Sequence, residues 1–201
     1  MQHRTIALVA GAIVASTANA DVIAFQDFEG ASTDTWAFTT NPEFYGVDGT
    51  RIWDILSENG QITGAYEGDN FLGGRNTGSA EYVVSFDDLD ISNYENVSIT
   101  FAFNAFGFET GDYIDYTLNG LRERAFTGLP TGTDSTDDWE SLTINLTSVD
   151  AIDFGFITRV VGSGDRFGID TILVSGDLVP APGSNALMAL GLGVVARRRR
   201  A

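Results

Sequence analysis

Residues 97–108 read VSITFAFNAFGF, and in this stretch apolar and small or polar residues alternate one by one. Val97, Ile99, Phe101 and Phe103 fall on one face, and Ser98, Thr100, Ala102 and Asn104 on the other. A period of two places alternate side chains on opposite faces of a pleated strand, which a helix cannot do. The pattern recurs in SLTINL, with Leu142, Ile144 and Leu146, and in AIDFGF, with Ile152, Phe154 and Phe156. Further strands are expected at 22–26, 35–39, 82–86, 113–118 and 167–174, separated by the turn clusters VDGT, SENG, EGDN, LNG and GSGD.

Eight or more short strands in one stretch of chain call for sheets that cover each other's apolar faces. The expected fold is all-β, a two-sheet antiparallel β-sandwich of the jelly-roll type over residues 21–176. No internal repeat is visible, which argues against a propeller or β-helix. Residues 51–60 are expected to hold at most one helical turn, and FLGGRNTG, at 71–78, a hairpin or bulge.

Composition narrows the chemistry. The 201-residue chain has no Cys, and its one His is His3. From residue 21 onward there is no His, Cys or Lys, which removes Ser-His-Asp and Cys-His catalysis, Lys Schiff bases and His/Cys zinc sites. Within residues 21–182, six Arg face all 28 acidic residues, leaving a charge of −22. Such a surface repels nucleic acid and anionic lipid and attracts divalent cations or basic partners.

The two ends read as addresses. MQHRTIALVAGAIVASTANA has a basic start, an apolar run and the small-residue ending Ala18-Asn19-Ala20, as a secretory signal does, with signal peptidase expected to cut between Ala20 and Asp21. At the other end, residues 177–182 form a linker containing Pro180-Ala181-Pro182. An apolar stretch at 186–196 and Arg197, Arg198, Arg199 and Arg200 follow within residues 183–201. The apolar stretch would rise only about 16 Å as a helix, against roughly 30 Å of hydrocarbon.

This order of Pro motif, short hydrophobic helix and Arg run resembles the PEP-CTERM sorting signal of exopolysaccharide-producing bacteria, with Ala181 where the usual motif has Glu. The resemblance implies transient insertion in the inner membrane, processing by an exosortase-type protease and release to the cell surface or extracellular matrix.

The domain opens with AFQDFEGASTDTW and closes with DRFGIDTILVSGD. Here it resembles jelly-roll modules such as MAM domains and carbohydrate-binding modules, without the MAM cysteines. The resemblance implies that the first and last strands lie together and that Glu29 and Asp170 contribute to a structural calcium site. Thr171 stands where the pattern has a second acid. From the residues alone, two placements of Asp170 stand open. On the face of Ile172 and Val174, an ionised carboxylate would need a cation or several donors. With Ile169, Thr171 and Leu173 inward instead, it is solvated or paired with Arg166.

A second constellation lies in FETGDYIDYTLNGLRERAF, where Ile114, Tyr116 and Leu118 look inward and Tyr113, Asp115 and Thr117 outward. An aromatic ring beside a carboxylate and Arg122 or Arg124 suits sugar binding, while an ordinary solvated face is the alternative. Asp87-Asp88 and Asp137-Asp138-Trp139 read as loop acids ahead of strands, and Trp36, Trp53 and Trp139 as divided between core and rim. The function expected is a non-catalytic surface or matrix protein associated with extracellular polysaccharide. A carboxylate-dependent glycoside hydrolase or polysaccharide lyase, and an acidic structural adhesin, are the alternatives.

Overall fold

The computed structural model describes residues 20–30, 33–46 and 50–180. The signal segment before Ala20, together with Ala181, Pro182, the expected C-terminal helix and Arg197–Arg200, lies outside the described residues.

Among the described residues all regular structure is β. The strands are β1 Asp21–Gln26, β2 Phe38–Asn41, β3 Tyr45–Gly46, β4 Ile52–Leu56, β5 Phe71–Arg75, β6 Tyr82–Phe86 and β7 Leu89–Asp90. Then come β8 Tyr94–Phe106, β9 Tyr113–Leu118, β10 Leu121–Thr127, β11 Glu140–Asn145, β12 Ala151–Ile152, β13 Phe154–Arg159 and β14 Arg166–Leu178. One sheet has the order β11-β8-β14-β5-β4-β3, with β1 also on β14, the other β10-β9-β13-β6-β2, and β7 pairs with β12. The chain passes back and forth between the two large sheets, and every pairing is antiparallel. This is the expected jelly-roll sandwich.

The alternation in β8 and β13 does what its period dictates. Ile99, Phe101, Phe103, Phe154 and Phe156 are buried between the sheets with Trp36, Trp53, Phe86 and Phe167. Their rings meet edge-on, as Phe101 and Phe156 do at 4.9 Å and 81°. Trp36 and Trp53 belong to this core, whereas Trp139 stays outside it, partly exposed.

Two expectations change. Residues 52–56 form a strand, not a helical turn, because Trp53 and its neighbours pair along β5 and bury the indole against Phe44 and Phe167. FLGGR is an interior strand held by β4 and β14 on its two sides. Its glycines leave room for rings. A Cβ on Gly74 would strike the Phe167 ring, and one on Gly73 would come within 2.7 Å of Leu56 and 3.0 Å of the Phe71 ring.

The last strand settles the alternation around Asp170. Ile169 pairs with Phe103 and faces the core; after a bulge between Asp170 and Leu173, Ile172 and Val174 face the core as well. Thr171 sits in the bulge at φ +48° with its Oγ1 buried and without a partner. The left-handed region strains a β-branched residue by roughly 1–2 kcal/mol. Thr171→Gly relieves that strain and removes the orphan hydroxyl, against a smaller entropic cost. It is expected to raise unfolding stability in denaturant melts by about 1 kcal/mol, and a loss of stability would contradict the strain assignment.

Candidate functional site

At the bulge, β14 changes partners: β5 lies beside Arg166–Ile169 and β1 beside Ile172–Gly176. The junction exposes main chain that the 65–70 loop covers. Asp170, fully buried, accepts hydrogen bonds at Oδ2 from the amides of Tyr66 (2.8 Å) and Glu67 (3.1 Å), and at Oδ1 from Thr171 N (2.7 Å). Glu29, just past β1, accepts at Oε1 from Asp69 N and Asn70 N, each at 2.6 Å, and at Oε2 from Asn70 Nδ2 at 2.9 Å. The structure therefore brings both expected acids to one loop, each taking three N–H donors. Burial pushes Asp170 up to about 6 against those donors, while the amides of Asn70 and Asp69 hold Glu29 below the usual carboxylate range. Among the described residues, no three His, Asp or Glu side chains gather closely enough to hold a metal ion.

Residues 61–65, which lead into that loop, build the wall of a cleft on the outer face of the seven-stranded sheet. Trp139 lies over Gly168, where a Cβ would come within 2.7 Å of its ring. It meets Phe71 edge-on at 5.4 Å, and its Nε1 donates to Gly64 O at 3.2 Å. Tyr66, 46% exposed, stands 6.3 Å away ring to ring. Between Trp139 and Phe106 opens a cleft of about 580 Å³ lined also by Gln61, Asn104, Asp137 and Asp138. A second cleft of about 580 Å³ shares Phe106 and Ser135 with it and continues past Glu109 to the 162–165 turn. The two clefts adjoin at Phe106 and Ser135, and the first sets a partly exposed Trp139 beside planar amides and carboxylates. Sequence reading missed it because its residues come from three distant segments. The visible signal was a Trp beside two acids ahead of a strand.

Asp165, at the far end, is almost fully buried, with its carboxyl packed under Gly107 and Gly162. Burial and the neighbouring charge of Asp112 push it up to about 6. Asp112 itself accepts from Glu109 N (2.9 Å) and Val161 N (2.8 Å), tying two loops of the groove together.

The other predicted cluster, Tyr113, Asp115 and Arg122, does assemble, on the outer face of the five-stranded sheet. Asp115, only 2% exposed, takes Arg122 Nε at 2.6 Å and an ion pair from Arg124. The Arg124 guanidinium covers the Tyr113 ring at 4.3 Å and Arg122 approaches it at 5.1 Å, so cations occupy the ring face that a sugar would stack on. Burial raises the Tyr113 hydroxyl, helped by its bond to Glu81. Burial works against the Arg122 charge, but Asp115, Tyr113 and Glu81 outweigh it and its pKa rises. Arg166 does not pair with Asp170; its Nη1 donates to Gly164 O, and its guanidinium lies 5.8 Å over Phe106.

No protein-family model and no curated protein sequence matches the chain. Solved structures do resemble it in architecture. A carbohydrate-binding module, TmCBM61, in complex with β-1,4-galactotriose is 10% identical, with TM-score 0.46, over 75% of this chain and 94% of that one. The CBM22-1 xylan-binding domain from Paenibacillus barcinonensis Xyn10C is 13% identical, with TM-score 0.41, over 83% and 100%. The K1 cleaved adhesin domain of Lys-gingipain from Porphyromonas gingivalis is 14% identical, with TM-score 0.48, over 76% and 97%.

Two buried acids with raised pKa set the pH response. An unfolded Asp titrates near 3.9, so the stability that Asp165 and Asp170 contribute is complete below about pH 4 and lost as pH rises through about 6. Glu29 and Glu81, held low, lose their contribution only at more acid pH. Without added cations, the melting temperature is expected to rise from pH 7.5 to about pH 5, and Asp165→Asn to flatten that slope. A melting temperature that falls steadily over this range would contradict the assignment.

Proposed function

We propose that this chain is an exported, non-catalytic module that binds extracellular polysaccharide in the Trp139 groove. One observation carries the reading: Trp139 stands partly open to solvent beside Gln61, Asn104, Asp137 and Asp138 in a cleft, with the exposed Tyr66 ring next to it. Aromatic rings stack on the apolar faces of pyranoses, and planar amides and carboxylates fix their hydroxyls. The groove's two adjacent acids, Asp137 and Asp138, share one exposed loop, while the acid with a raised pKa, Asp165, lies beneath the groove wall. Binding therefore fits better than carboxylate-dependent hydrolysis or elimination, and the groove gives more to work with than an acidic adhesin surface alone.

Placement supports display. Residues 20 and 180 leave the domain at one pole, since Asp21 pairs with Gly176 and Leu178 with Tyr94. The groove lies at the Asn104–Phe106 end of β8, about 33 Å along the strand from Tyr94 at roughly 3.3 Å per residue. Cleavage between Ala20 and Asp21 would leave β1 whole, because that strand begins at Asp21. Export by signal peptidase and exosortase-type processing after Pro180 belong to the same proposal. Intact-mass measurement of protein from its native host is expected to show the Arg run removed.

Calcium at Glu29 and Asp170 remains part of the proposal, on the strength of a fully buried carboxylate at Asp170. In this structure amide donors answer both acids, so an ion there would draw on main-chain carbonyls and water for most of its six to eight ligands. EDTA is expected to lower the melting temperature at pH 7.5 and added calcium to restore it; an unchanged melt removes the ion from the account. For the groove, a glycan array with the full chain is expected to give a polysaccharide ligand, and Trp139→Ala to weaken it at least about tenfold with the fold retained. Undiminished binding by that variant would overturn the site.

A further inference from the structure

The outer face of the five-stranded sheet holds three of the six Arg of residues 21–182, in a stretch of chain whose charge is −22. Arg122 and Arg124 are fixed by the buried Asp115, and Arg159 stands opposite Tyr113 in the β13–β9 register. Against them stand two carboxylates, Asp115 and Glu81, so this patch is locally positive.

The group these cations hold is informative. Glu81 Oε1 accepts from Tyr113 OH at 2.5 Å and pairs with Arg122 Nη1 at 2.8 Å. The Tyr113 hydroxyl, Arg122 and the field of Arg159 hold it below the usual carboxylate range. The donors are set by the interior: Tyr113 is buried beneath two guanidinium groups, and Asp115 fixes Arg122. The acceptor is not. Glu81 precedes β6 with its side chain 45% exposed, so only these two contacts fix it. Arg159 Nε, buried, has no hydrogen-bond partner. Preorganised donors around an exposed acceptor are the arrangement of a receptor filled by a stand-in.

Beside the receptor runs a flat polar track. Arg122, Thr117, Gly155, Ser85 and Thr39 are successive register partners across all five strands. At Gly155 a side chain would come within 2.5 Å of Val84 O and 3.1 Å of Thr117 Oγ1, so the track has no relief there. Hydroxyls along a smooth strip suit a chain of pyranose rings better than an acidic peptide.

We propose that this face is a second binding site, a receptor for the carboxylate of a uronic-acid-containing glycan, and that Glu81 fills it in the free protein. An incoming uronate takes the Tyr113 hydroxyl and Arg122 as Glu81 swings out, and Arg159 faces the new charge. The site lies on the sheet opposite the Trp139 groove and does not depend on it.

Calorimetric titration of the full chain with trigalacturonate tests the assignment. Glu81→Ala is expected to bind about tenfold more tightly than the parent, because the internal competitor is gone. Arg159→Gln, which breaks no ion pair to a buried acid, is expected to lose that binding while its melting temperature stays unchanged. Trp139→Ala is expected to leave trigalacturonate binding untouched, which separates this site from the groove. Neutral galactotriose should not compete. Equal affinity of Glu81→Ala and parent for trigalacturonate, or a poly-glutamate peptide binding as tightly as the uronate, would overturn the proposal.

Discussion

The outer architecture of this protein turns on one buried carboxylate. Asp170 sits where β14 passes from β5 to β1, and its oxygens collect three amide hydrogens from the bulge and the 65–70 loop. A buried charge without donors is expensive, and with three it becomes a fastening. Glu29 repeats the device from β1, gripping the same loop two residues further on. The loop is thereby laid across the open face of the seven-stranded sheet, where Ile62 and Phe71 bury outside the main core and Trp139 closes over Gly168.

The groove is thus a by-product of how the sheet is sealed. Loops tethered by carboxylates flank it, Asp170 and Glu29 holding the 66–70 loop beside Trp139 and Asp112 holding Val161 just before the 162–165 turn. A rigid floor of paired strands with adjustable walls is a common way for a β-sandwich to carry a site, since loops tolerate change that strands do not. The opposite sheet follows another rule. There Asp115 anchors two arginines over a tyrosine, concentrating scarce positive charge on a strongly acidic molecule.

What could be read from the chain followed period and composition. Alternation along 97–108 and 152–156 fixes which residues face inward whatever the strand pairing, because a pleat offers only two sides. Strands at 82–86 and 113–118, and the outward placement of Tyr113 and Asp115, follow directly. The absence of His, Cys and Lys from residue 21 onward likewise bounds the chemistry before any fold is known.

Tertiary structure decided the rest. FLGGR carries no alternation, since its glycines make room for the Leu56 side chain of β4 and the Phe167 ring of β14, and no local pattern reports such neighbours. Asp170 obeys neither simple face assignment, because a bulge at Thr171 lets Ile169 and Ile172 both point inward while a loop over a hundred residues earlier in the chain buries the acid between them. Tyr113 and Arg122 were recognisable as a pair, but only packing shows that the guanidinium groups cap the ring and that Glu81 completes the cluster. The groove around Trp139 depends on contacts between residues 61–66, 104–106 and 135–139. The sequence by itself determined the alternating strands, their inward faces and the charge; tertiary structure decided the strands without alternation and which distant side chains meet, because those contacts are long-range and leave no periodic trace.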